Sequence, residues 1–172
     1  IVLNLFGLNF NAQLLDSISK NINSKPIFFI KLDTRGSFVS NRHVRINGIK
    51  GGLCFNEKLK IGLGYNWLKS NYQPIYNAEN VNLVSHNVST FVEYFFINKN
   101  DFEFNANVQI AIGNIQYQQN KIRIANSFAF FYEQSITAEY RVLKYLGLGF
   151  GLGYRFVVYN KTAINEKLSA PV

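Results

Sequence analysis

The stretch Lys58–Trp67, Lys-Leu-Lys-Ile-Gly-Leu-Gly-Tyr-Asn-Trp, admits few folds. In an extended chain successive side chains point to opposite faces. Leu59, Ile61, Leu63, Tyr65 and Trp67 therefore share one face, and Lys58, Lys60, Gly62, Gly64 and Asn66 share the other. Tyr145–Tyr159 repeats the design, with Leu146, Leu148, Phe150, Leu152, Tyr154, Phe156 and Val158 alternating with Gly147, Gly149, Gly151, Gly153 and Arg155. One face is apolar and carries amphipathic aromatics; the other is glycine and charge. A sheet of such strands suits an apolar medium on one side and a small polar space on the other.

The same alternation predicts seven strands: 27–39, 43–55, 58–68, 83–96, 101–114, 125–142 and 145–159. The fifth is the cleanest, with Phe102, Phe104, Ala106, Val108, Ile110 and Ile112 against Glu103, Asn105, Asn107 and Gln109. In the second, Val44 and Ile46 are out of phase with Ile49, Leu53 and Phe55, which predicts a β-bulge near Asn47–Gly48. Connections at one end are short: Asn56–Glu57, Asn98–Asn100 and Leu143–Lys144. Those at the other end read as long: Lys69–Asn82, Ile115–Ile124 and Asn160–Val172. Sorting of loops by end is the pattern of a membrane barrel.

The expected fold class is therefore all-β, an antiparallel up-and-down transmembrane β-barrel. Eight strands are expected and seven are visible, because an even count closes the sheet. Either Leu168–Val172 begins a truncated last strand or Ile1–Phe10 supplies the missing one; the first keeps the loop alternation and is preferred. Residues 1–26 read as a signal-peptide remnant or N-terminal arm, with a possible cleavage after Ala12, and residues 27–172 as the barrel domain. Leu14–Asn23 is a polar lead-in with room for a turn or two of helix.

Charged residues make up only 16% of the chain and aromatics another 16%, while mean hydropathy is −0.02. Lipid-facing and interior residues of a barrel average out in this way. No apolar run approaches the roughly 18 residues of a membrane helix. The single cysteine, Cys54, excludes an internal disulfide among these residues. The net charge of +8 is scattered, with no basic run or recognition motif, so no nucleic-acid partner is expected.

On this register Lys31, Asp33, Arg35, Lys50, Lys60, Glu93, Glu103, Glu133, Glu139, Arg141 and Arg155 point inward. Both signs are present, and buried charges must pair. A plugged, salt-bridged interior follows, not an open pore. Gly62 and Gly64 are expected to admit neighbouring side chains. Tyr65, Trp67, Tyr132 and Tyr154 fall near the long-loop end on outward positions, and Tyr94, Phe96, Phe102 and Tyr140 near the other, where interfacial aromatics belong.

In these features, above all Leu-Lys-Ile-Gly-Leu-Gly-Tyr-Asn-Trp and Leu-Gly-Leu-Gly-Phe-Gly-Leu-Gly-Tyr-Arg-Phe, the chain resembles the small outer-membrane β-barrel proteins of the OmpA/OmpX-like type across about Ile27–Tyr159. The resemblance is one of architecture. It implies the outer membrane of a Gram-negative bacterium and a family that includes structural anchors, adhesins, accessory subunits of larger machines and a few lipid-modifying enzymes.

No nucleophile–base pair, metal-ligand set or cofactor motif is read from the residues. Ser85 and His86 are adjacent on one strand and point apart. Arg42, His43, Lys69, Lys121, Arg123, Lys161 and Lys167 lie near the long-loop end, a positive collar suited to lipopolysaccharide phosphates or an acidic partner. The expected role is non-enzymatic: a structural or accessory subunit of a larger outer-membrane complex, with loops that contact lipopolysaccharide. A lipid-modifying barrel enzyme and a soluble lipocalin-like carrier, with the apolar face turned inward, are the alternatives.

Overall fold

The structure is a computed structural model that describes residues 24–68, 75–76, 79–99, 101–120, 122–143, 146–159, 164 and 167–172. The expectations for Ile1–Gln13 and Leu14–Asn23 lie outside the described residues. Ten strands run in chain order: β1 (Ile27–Val39), β2 (Arg42–Phe55), β3 (Leu59–Leu68), β4 (Ile75–Tyr76), β5 (Glu79–Asn80), β6 (Asn82–Lys99), β7 (Phe102–Gln119), β8 (Ile122–Leu143), β9 (Leu146–Tyr159) and β10 (Ala170–Pro171). Eight form one sheet in the order β1-β2-β3-β6-β7-β8-β9-β10, every neighbour antiparallel, and β4–β5 form a separate small hairpin. This is the all-β, up-and-down architecture of a barrel wall.

The turns follow from local chemistry. Ser40 and Asn41 have φ of 44° and 69°, and Asn56 and Glu57 have φ of 50° and 54°. Paired positive φ values mark the type I′ turn, whose twist matches that of the strands it joins. At the second turn Lys58 N–H donates to Phe55 O at 3.0 Å.

The chain passes from Val39 to Arg42 through two residues, and one connection expected to be long is tight, because β7 and β8 pair up to Gln119 and Ile122. Ile115–Ile124 is thus mostly strand. Gln116, Gln118 and Gln119 read as loop, yet they are half-buried ladder residues of β7. The strict alternation of short and long loops does not hold; β7 has 18 residues and β8 has 22.

The sheet curls until its two edges touch near Ser37 and Ser40. A row of ladder partners runs Phe29, Gly52, Gly62, Phe91, Gln109, Glu133, Arg155, Ala170. Arg155 Nη2 then donates to Ser37 Oγ at 3.0 Å, and Ser37 Oγ donates to Pro171 O at 2.9 Å. A row that leaves β1 at Phe29 thus returns to it near Ser37, a stagger of about eight residues, as expected of a closed eight-stranded barrel. Ser40 N–H donates to Lys167 O at 2.9 Å, and Lys167 N–H to Ser40 Oγ at 2.9 Å. The eighth strand begins, as expected, within Leu168–Val172.

The environments of the two faces exchange along the strands. Lower down, toward the Asn56–Glu57 turn, outward residues are apolar and exposed, among them Leu32, Leu63, Ile110, Ile136 and Phe150, while inward residues are polar. Nearer the Ser40–Asn41 turn the inward face becomes apolar. Val39, Val44, Leu83, Ile115, Tyr117, Phe131, Val157, Ile164 and Leu168 form one buried cluster there.

This exchange corrects the expected bulge in β2. The β1–β2 register is unbroken through Arg35–Ile46, Asp33–Gly48 and Lys31–Lys50, and Val44, Ile46 and Lys50 all point inward and are buried. Val44 and Ile46 keep their phase; the space they enter changes from polar to apolar. The register shifts lie instead at Phe95/Ile97, Tyr117/Gln118 and Arg141/Leu143.

Candidate functional site: the charged interior and the outer wall

Antiparallel pairing brings inward residues of neighbouring strands side by side, and curling brings β1 against β8. Lys31 is ion-paired with Glu139 and lies 3.7 Å from Glu93. Arg35 is ion-paired with Glu133, lies 3.3 Å from Asp33 and donates to Asn66 Oδ1 at 2.6 Å. Lys50 Nζ lies between Asp33 at 3.5 Å and Glu93 at 3.9 Å. Lys60 reaches Glu139 at 3.9 Å, and Arg141 pairs with Glu103. Among the described residues Arg155 makes no carboxylate ion pair; it donates to Ser37 and, at 3.4 Å, to Leu168 O. The inward charges thus form a network in which most carboxylates serve more than one cation. Asn66 Nδ2 extends it to Asn87 Oδ1 at 2.8 Å, and Asn105 Nδ2 donates to Glu139 at 3.2 Å.

Buried phenylalanines share this interior. Phe91 and Phe95 are almost fully buried, and Lys60 Nζ sits 4.3 Å from the Phe95 ring centroid and 5.4 Å from that of Phe29. Lys50 lies 5.1 Å from Phe91. A ring face is electronegative, so it partners an ammonium that a single carboxylate does not fully compensate. Sequence reasoning missed these rings, although they share a phase with Ser89 and Glu93.

The glycines of β3 have two different purposes. A Cβ on Gly64 would meet Ser89 Oγ at 2.7 Å and Lys50 Cγ at 3.2 Å, so that glycine does admit side chains. A Cβ on Gly62 would meet Gly51 O at 2.2 Å and Gly52 Cα at 2.9 Å. Gly62 therefore accommodates backbone, not the neighbouring side chains expected there, and it faces Gly52 across the β2–β3 ladder.

The interior is filled. Two cavities remain, of about 30 Å³ and 10 Å³. The larger lies among the apolar residues near Val39, Leu83, Phe131 and Leu168, and the smaller near Arg35, Gln109 and Arg155. Spaces of this size hold a water or two.

On the outer wall, Tyr65, Phe96, Phe102 and Tyr140 are exposed, and Trp67, Tyr94, Tyr132 and Tyr154 are half-buried. Phe102 and Tyr140 meet at a tilt with ring centroids 4.8 Å apart, and Tyr154 and Phe156 likewise at 4.7 Å. His86 stacks on Tyr65, whose hydroxyl is 2.8 Å from His86 Nδ1, and His43 meets Phe38 edge-on. The two histidines thus sit in separate outward aromatic clusters. Arg42 and His43 on β2, Arg123 on β8 and Lys167 ahead of β10 are exposed near the upper end; Lys69, Lys121 and Lys161 lie outside the described residues.

The arrangement is suited to holding a barrel shut and presenting an apolar wall. Its least legible members were Ser37, which receives Arg155, and the apolar cluster at the upper end. The one signal for the cluster was the apparent phase slip at Val44 and Ile46. No protein-family model, curated protein or solved structure matches the chain.

Proposed function

We propose that this chain is a small outer-membrane β-barrel protein of the OmpA/OmpX-like type, with a non-enzymatic structural or accessory role in a larger assembly of a Gram-negative outer membrane. The observation that carries the reading is the pairing of a band of exposed apolar side chains outside with a charge network inside. Exposed Leu32, Leu63, Leu148, Phe150 and Leu152 are costly in water and favourable in lipid. A lipocalin-like carrier needs these same faces around its cavity. The upper part of β7, polar outside at Asn114, Gln116 and Gln118 and apolar inside at Ile115 and Tyr117, suits projection into water, and strands of 18 and 22 residues exceed the 9–11 or so that cross a bilayer.

A filled interior favours a role on the wall or loops over conduction. Arg42, His43 and Arg123 are placed to meet lipopolysaccharide phosphates or an acidic partner. Extraction tests the membrane reading: the native protein should require detergent and show no steady conductance in planar bilayers. Pull-down from native membranes should then return stoichiometric partners. Recovery as a detergent-free soluble protein defeats the membrane assignment, and a pure monomer defeats the accessory role.

A further inference from the structure

The inward charges of the described residues balance everywhere but at Arg155. The carboxylates Asp33, Glu93, Glu103, Glu133 and Glu139 are all taken up by ion pairs with Lys31, Arg35, Lys50, Lys60 and Arg141. Arg155 is the cation left over, and it is only 7% exposed. Glu133 is its ladder partner on β8, but that carboxylate is paired with Arg35. Arg155 Nη2 donates to Ser37 Oγ at 3.0 Å and to Leu168 O at 3.4 Å, two neutral acceptors, and its Nε has no partner. A buried cation without a counter-charge is costly, so the surroundings of this one are informative.

Arg155 lines both interior cavities, which also share Ile46, Asn87 and Phe131. The smaller, of about 10 Å³, has Glu133 on its wall, whose charge repels an anion. The larger, of about 30 Å³, has no carboxylate among the described residues that line it. Arg155, Ser85 and Asn87 supply N–H and O–H donors there. The Asn87 side-chain oxygen already accepts from Asn66 Nδ2 at 2.8 Å, which leaves its amide N–H groups as the donors. Apolar residues such as Leu83, Ile115 and Val157 make up most of the remaining wall. They screen the guanidinium charge little, so an ion seated beside it is held strongly.

We propose that the larger cavity is a binding site for one monatomic anion, chloride under physiological conditions, seated beside Arg155 with Asn87 and Ser85 as further donors. A halide is little larger than a water molecule, so a space that holds a water or two accepts one. Water would fill the cavity but leave the guanidinium charge uncompensated. Sulfate, phosphate and organic acids are too large for it. The site also has a structural consequence. Arg155 ties β9 to Ser37 on β1 and to Leu168 ahead of β10, where the edges of the sheet touch. An anion that completes the surroundings of Arg155 only in the folded chain stabilises that closure.

The test uses the purified full chain, in detergent if it needs one. Chloride replaces gluconate at constant ionic strength while the denaturant midpoint is read. The midpoint should rise along a saturating curve. The shift should be lost in Arg155→Met and kept in Lys99→Met, which removes an exposed cation at the lower end of β6. A midpoint of the unaltered protein that ignores chloride overturns the proposal, and so does an equal shift in Arg155→Met. If Arg155→Met does not fold, crystals of the unaltered protein grown in bromide decide. Anomalous scattering in the larger cavity beside Arg155 supports the site; signal only elsewhere, or none, overturns it. The cavity lies inside the sheet, so the outcome is independent of whether lipid or water surrounds the wall, and its failure is distinct from failure of the membrane assignment.

Discussion

Lys31 on β1 and Glu139 on β8 are 108 residues apart in sequence and form an ion pair inside the barrel. The contact exists only because the sheet curls, and it couples the first long strand to the second-last. Lys60 and Asn105 approach the same carboxylate, so β1, β3, β7 and β8 meet at one group.

The neighbouring Arg35–Glu133 pair is the better place to weigh this network, because Glu133 is nearly fully buried. Glu133→Ala leaves the Arg35 charge without its main partner and should cost about 3 kcal/mol. Replacing the pair together, as Arg35→Met with Glu133→Leu, should recover much of that loss. Denaturant titration of the folded gel-mobility form reads both. Equal losses in the single and double variants would instead show that the pair's own interaction, and not an uncompensated charge, supplies the stability.

On the membrane reading, depth along the outer wall separates lipid from water. Ile110→Arg in the apolar band should destabilise by about 2–4 kcal/mol, and Asn114→Arg, farther up the same face of β7, by about 0–1 kcal/mol. Folding yield into lipid vesicles measures the contrast. Matching values at the two positions would contradict a membrane boundary between them.

Glycines of similar sequence setting should respond differently. Gly62→Ala drives a Cβ into the Gly51–Gly52 backbone and should cost about 1–3 kcal/mol of overpacking. Gly147→Ala meets only Tyr140 O, at 3.5 Å, and should change folding little. Heat-modified mobility of the two variants, compared side by side, distinguishes a close-packed corner from a propensity effect common to all strand glycines.

The apolar cluster at the upper end should behave as a water-soluble core does. Phe131→Ala is expected to cost about 3–4 kcal/mol, with hydrogen exchange accelerated in the upper halves of β7 and β8 more than near Glu103 and Glu139. Uniform acceleration along both strands would mean that the cluster is not a separate cooperative layer.

Strands, their facing and most inward charges were legible because a period of two is local: Glu103, Asn105, Asn107 and Gln109 declare their side by alternation with Phe102 through Ile110. Alternation says which residues share a face but not what that face meets. Val44 and Ile46 therefore looked misplaced until the inward space at their height proved apolar. The extension of β7 to Gln119 was hidden for a related reason: polar residues suit a loop and a solvated strand equally well.

By itself the sequence determined an all-antiparallel sheet with one apolar and one polar face, because extended backbone geometry leaves no other reading of Lys58–Trp67 and Tyr145–Tyr159. Only the tertiary structure decided which charges meet and where the interior turns from ionic to apolar. Those depend on the stagger with which the curled sheet returns to β1, a property of all its strands together and of no single segment.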